Sequence, residues 1–123
     1  MSNQDPLDPS RCDVRHNLFG GEGAVRVWDL GARVGAISAV LFCELEPLGR
    51  VGKHVQQRDD EVVVVMEGEG VIYVGGVAHP CVRGSAVPLA LGQTLEIDNA
   101  SSAQGLRYLI VKAQRGAAVP PTT

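Results

Sequence analysis

Between Lys53 and Glu61 the chain reads Lys-His-Val-Gln-Gln-Arg-Asp-Asp-Glu. Side chains on a strand alternate between faces, so His54 and Gln56 point the same way. A turn over Gln57 to Asp60 folds Glu61 back beside them and brings an imidazole, an amide and a carboxylate to one point. That set suits a divalent first-row metal ion (Fe, Mn, Ni, Cu or Zn), weakly bound or absent, because an amide oxygen is a poor ligand. Three protein donors leave about three positions for water or substrate, as in a facial triad with one His exchanged for an amide. The same groups also suit hydrogen bonding to a small organic ligand. His54 reads either as a metal ligand or as a partly buried imidazole bonded inside the fold, and Glu61 either as a ligand or as a turn acid beside Asp59 and Asp60.

Other side chains near this set have competing readings. Cys43 offers a soft thiolate, but a free Cys is among the most buried residue types, and core filling is the alternative. Tyr108 is a candidate pocket residue whose face stays open, since both parities of Leu106 to Lys112 are mixed. Arg50 and Lys53 flank the His54 strand, either steering an anionic ligand to a cavity mouth or forming a solvated rim. His79, just before Pro80, reads as a surface residue on a turn. The clusters Gly20-Gly21-Glu22-Gly23 and Gly68-Glu69-Gly70 precede no helix, so they are tight turns rather than phosphate loops.

The elements that must position these residues are strands. Short β-branched runs separated by Gly, Pro, Asn and Asp predict an all-β sandwich or barrel. Strands are expected over residues 24–30, 37–46, 52–56, 61–67, 70–74, 77–82, 86–89, 94–99 and 106–113. In Leu41 to Glu46 the charged Glu44 and Glu46 share one face, so Leu41, Cys43 and Leu45 take the buried one. Val62 to Met66 is apolar at every position, which implies cover on both faces. A sheet-to-sheet homodimer supplies the outer cover; an N-terminal strand folded across that face is the alternative.

At 123 residues the chain suits one domain, expected over residues 16–115, with a flexible arm at 1–15 and a disordered tail at 116–123. Eleven Lys and Arg against fourteen Asp and Glu, scattered singly, give a net charge of -3 and no basic face for nucleic acid. The three Cys are odd in number and widely spaced, which fits neither a disulfide framework nor a structural zinc site. The polar N-terminus lacks a signal-peptide run, and no apolar run spans a bilayer, so no membrane partner and a cytoplasmic location are expected.

Two segments carry a family resemblance. Pro47 and Gly49, then His54-Val55-Gln56, the spacer Gln57 to Asp60, Glu61, the six residues Val62 to Glu67, and Gly68 resemble the first motif of the cupin superfamily. Gln56 stands where the family has its second His. The segment Gly84 to Asn99, with Pro88 and Gly92 inside it, resembles the second motif with its Pro-to-Gly spacing stretched, and counting back from Asn99 puts Leu95 at the position of the family's metal-binding His. Leu95 cannot coordinate a metal. The resemblance covers residues 41–113 and implies an all-β cupin-type double-stranded β-helix, a jelly-roll barrel with its pocket inside, lined by Cys43, Leu95 and Tyr108. Small cupins also often dimerise sheet to sheet.

Three functions follow from these residues and that resemblance. The first is a metal-dependent enzyme on a small organic molecule, with His54, Gln56 and Glu61 holding the ion and the reaction unassigned. The second is a non-catalytic cupin that binds a small metabolite without a metal, a reading that Gln56 and Leu95 favour. The third, a structural partner offering only its sheet surface, is the weakest.

Overall fold

A computed structural model describes residues 5–115 of the chain; the expected tail at 116–123 and the first four residues of the expected arm lie outside them. Ten strands run β1 (Asp13–His16), β2 (Ala24–Asp29), β3 (Ile37–Leu45), β4 (Arg50–Val55), β5 (Asp59–Glu67), β6 (Gly70–Val74), β7 (Val77–Cys81), β8 (Ala86–Leu89), β9 (Thr94–Asn99) and β10 (Leu106–Gln114). They form a six-stranded sheet of order β1-β2-β3-β10-β5-β8 and a four-stranded sheet of order β4-β9-β6-β7. Every pairing between strands is antiparallel. The architecture is the expected jelly-roll barrel.

Alternation builds it. Along β9 the buried positions are Leu95, Ile97 and Asn99, and along β6 they are Gly70, Ile72 and Val74. One core joins both sheets, with Val25, Cys43, Val63, Val65 and Tyr108 from the first and Val51, Ile72, Leu95 and Ile97 from the second. The β6–β7 hairpin closes through Gly75 and Gly76, both at positive φ, as a two-residue turn of matching twist requires. At the closed end, Asn99 Nδ2 is shared among the carbonyls of Leu45, Glu46 and Gln104, while its Oδ1 accepts from Ser101 N–H. Asn99 thereby ties β9 to both the β3–β4 and the β9–β10 connections.

Residues 5–15, part of the expected arm, contain a 3-10 turn at Pro9–Arg11 and strand β1. β1 pairs along its whole length with β2, extending the six-stranded sheet at its edge. Ahead of it, Trp28 Nε1 donates to the Asp8 carbonyl at 2.9 Å, and Trp28 meets Phe42 edge to face. The N-terminal segment therefore packs on β2 at Trp28, and among the described residues the outer face of β5 is left without cover. Val63 and Val65 point into the core, whereas Val62 is 37% and Met66 42% exposed.

Candidate functional site

The interior opens at one end into a cavity of about 630 Å³, bounded by the ends of β4 and β10, the start of β5, and the turn Leu18–Gly20. Its walls are mostly apolar and include Val25, Val27, Leu41, Leu95, Ile97 and Ile110. His54, Gln56 and Glu61 all line it, so the three residues read as one constellation are brought to one space. Cys43, Leu95 and Tyr108 line it too.

His54 reaches the cavity by way of an irregularity. Val51 lies opposite Ile97 and His54 opposite Leu95, with the register shifting between them. A bulge at Gly52 and Lys53 adds the residue that turns His54 inward after Val51 has already pointed inward. Lys53 is left exposed. A Cβ on Gly52 would collide with the Phe19 carbonyl oxygen, and one on Gly21 with the Arg50 carbonyl oxygen. These two glycines let the Leu18–Gly20 turn dock directly on β4.

That docking places Phe19 on His54, the rings stacked at 3.8 Å between centroids and 14° between planes. Phe19 holds φ of 53° and remains 54% exposed at the mouth. His54 Nδ1 lies 3.0 Å from the Gly52 carbonyl oxygen. A carbonyl only accepts, so Nδ1 is the nitrogen that carries a proton here, and Nε2 is the one left to face a ligand. The glycine-rich stretch after Phe19 is a turn, as expected; the stacking of the phenyl ring on His54 carried no signal in the linear pattern.

Gln56 and Glu61 are 8% and 5% exposed, and Gln56 Nε2 donates to Glu61 Oε1 at 2.6 Å. Burial pushes the Glu61 carboxyl above its ordinary value; Lys112, Gln56 and His54 pull it back in part, and Asp59 adds a small push upward. Burial raises the Cys43 thiol to about 12, so at neutral pH it is an uncharged core group rather than a thiolate. Tyr108 is fully enclosed, its phenol raised well above the ordinary value, first by desolvation and then by Cys43 and Glu61. On β10 the inward residues are Leu106, Tyr108, Ile110 and Lys112, which resolves the face of Tyr108.

The donor set fits a resident metal poorly. It comprises one imidazole, one amide and one carboxylate already bonded to that amide, with Leu95 paired opposite His54 where a further ligand would be needed. Among the described residues, no three His, Cys, Asp or Glu side chains come together to hold an ion. The cations of the cavity also differ from those expected. Arg50 sits at the other end of β4, its backbone hydrogen-bonded to that of Glu22, and Lys53 is exposed, as a solvated rim would have it; Arg15, Arg58 and Lys112 line the cavity instead. His79 is exposed, on β7 rather than on a turn.

No protein-family model matches the chain, and no curated protein matches it. Solved structures do. A predicted oxalate decarboxylase from Thermotoga maritima superposes with a TM-score of 0.77 at 22% identity, covering 88% of this chain and 97% of that one. A cupin 2 conserved barrel domain protein from Salinispora arenicola gives 0.71 at 18% identity over 93% and 90% of the two chains. KdgF from Halomonas gives 0.65 at 13% over 84% and 87%. Likeness at these identities concerns architecture, and the architecture of this chain is that of a cupin.

Proposed function

We propose that this cupin binds a small organic molecule inside its barrel through side-chain hydrogen bonds and apolar contact, without a resident metal. The observation that carries this reading is the buried Gln56–Glu61 hydrogen bond on the cavity wall, which commits to each other two of the three groups that a metal would need. An apolar cavity of several hundred Å³ with a few converging polar groups is the usual form of a ligand pocket. His54 Nε2, Tyr108 Oη and the free oxygens of Glu61 and Gln56 are the polar anchors. Nothing in this chemistry requires turnover.

A metal-dependent enzyme acting on a small organic molecule is the second reading. It is favoured by the convergence of His54, Gln56 and Glu61 on one cavity. Thermal melting separates the two. After exhaustive chelation, the melting temperature is expected to stay where it was and to stay there on addition of Fe, Mn, Ni, Cu or Zn. A fall on chelation that one of these ions reverses, and that His54→Ala abolishes, would transfer the assignment to the metal-dependent reading.

We also propose that two copies associate through the outer face of the six-stranded sheet. Val62, Val64 and Met66 on β5 lie there beside Leu109 and Val111 of β10, and no part of the described chain covers them. Contiguous apolar sheet surface of this kind is a common dimer interface.

A further inference from the structure

Lys112 is the least expected residue on the inward face of β10. The strand places Leu106, Tyr108 and Ile110 toward the interior before it, and its own neighbours across the sheet are Glu61 on β5 and Ala39 on β3. An ammonium group beside apolar walls is costly without a counter-charge. Glu61 is the obvious partner by register, yet the two are not in an ion pair, and Glu61 is bonded to Gln56 instead. Among the described residues, Arg58 at the mouth has no ion-pair partner either, whereas Arg15 is held by Asp13 at 2.9 Å. Three cations and two carboxylates, Asp59 and Glu61, thus line the cavity of a protein whose formal net charge is -3. With Arg15 held by Asp13, Arg58 and Lys112 face Asp59 and Glu61 along the lining, and Lys112, set against the apolar walls without an ion pair, is the charge that a bound anion would meet.

We propose that the cavity takes an amphipathic organic monoanion, its carboxylate at Lys112 near the mouth and its apolar body against Val27, Leu41 and Ile110. The assignment rests on the reading of the barrel as a small-molecule pocket and names the chemical class that the pocket selects. Lys112 is a specificity residue in this account. It supplies the counter-charge, while the walls supply affinity that is indifferent to charge.

Calorimetric titration of the chelated protein tests the proposal with three carboxylates, 3-phenylpropanoate, 4-phenylbutanoate and octanoate, each against its own primary amide. At least one acid is expected to bind one per chain and about tenfold or more tighter than its amide, the size of one charge-assisted hydrogen bond. Lys112→Met should abolish the preference, the acid binding no tighter than its amide in the same variant. Equal binding of acid and amide by the unaltered protein would overturn the anion assignment and leave the pocket reading standing, and that comparison needs no variant to fold. A preference that survives in Lys112→Met would also overturn it. Failure of every acid and every amide to bind would remove both the assignment and the reading beneath it.

Discussion

Glu61 is an acid held where its ionised form loses most of its hydration, and Lys112, Gln56 and His54 return only part of it. Its folded-state value lies above the ordinary 4.5, so the stability it contributes is fully present below that value and is lost as pH rises through the raised one. Glu61→Gln keeps an acceptor for Gln56 and removes the titration. Urea unfolding at several pH values is expected to show the variant gaining on the native protein as pH rises from 4.5 toward neutrality. The exposed acids Asp8, Asp29 and Asp60, whose values are lowered, act in the opposite sense but equally in both proteins. A constant difference between the two proteins would show that Glu61 is not desolvated. Cys43 gives a second check: with its thiol near 12 it should resist iodoacetamide at pH 8 in the folded protein, where Cys12 is the most exposed of the three Cys, and react once unfolded. The convergence of positions 54, 56 and 61 on one cavity was legible because period-two alternation and one turn suffice to bring them together. Lys112 was not, since nothing in its linear neighbourhood says which parity of β10 faces inward.

Strand β4 and the turn that docks on it act as one unit. The bulge at Gly52 and Lys53 turns His54 inward, and the bare backbones of Gly52 and Gly21 let Phe19 lie over the imidazole. Gly52→Ala would drive a methyl group into the Phe19 carbonyl, and a loss of about 2–3 kcal/mol of stability is expected by chemical denaturation, the range for backbone strain that the fold cannot relieve. Phe19→Ala should leave stability nearly unchanged, because Phe19 is largely exposed, and should shift the His54 ring protons downfield in NMR spectra as the stacked ring current is lost. Unmoved resonances would mean that the turn does not rest on β4 in solution. Strand positions were readable to within about two residues wherever β-branched residues alternate between turns. β1 was missed: Asp13-Val14-Arg15-His16 is mostly polar and exposed, and it is a strand because the edge of β2 offers it a partner.

At the scale of the molecule, the apolar run Val62 to Met66 divides cleanly: Val63 and Val65 fill the barrel, and Val62, Val64 and Met66 face outward. The N-terminal segment packs on Trp28 instead, and among the described residues this face has no cover; in the proposed dimer a second copy supplies it. Sedimentation at micromolar concentration is expected to give the mass of two chains. Val64→Lys should halve that mass with the fold intact, as judged by circular dichroism. A native monomer would refute the interface. Overall architecture was legible from turn spacing and the two motif-like segments, whereas the ligand was not, because cavity shape depends on side chains contributed by both sheets.

Equilibrium dialysis against Mn, Fe, Ni, Cu and Zn bears most directly on the character of the site. The native protein is expected to retain none of these ions through a final metal-free dialysis, and the double variant Gln56→His with Leu95→His to retain one per chain. One tightly held ion per chain in the native protein, lost in His54→Ala, would contradict the metal-free pocket proposed here.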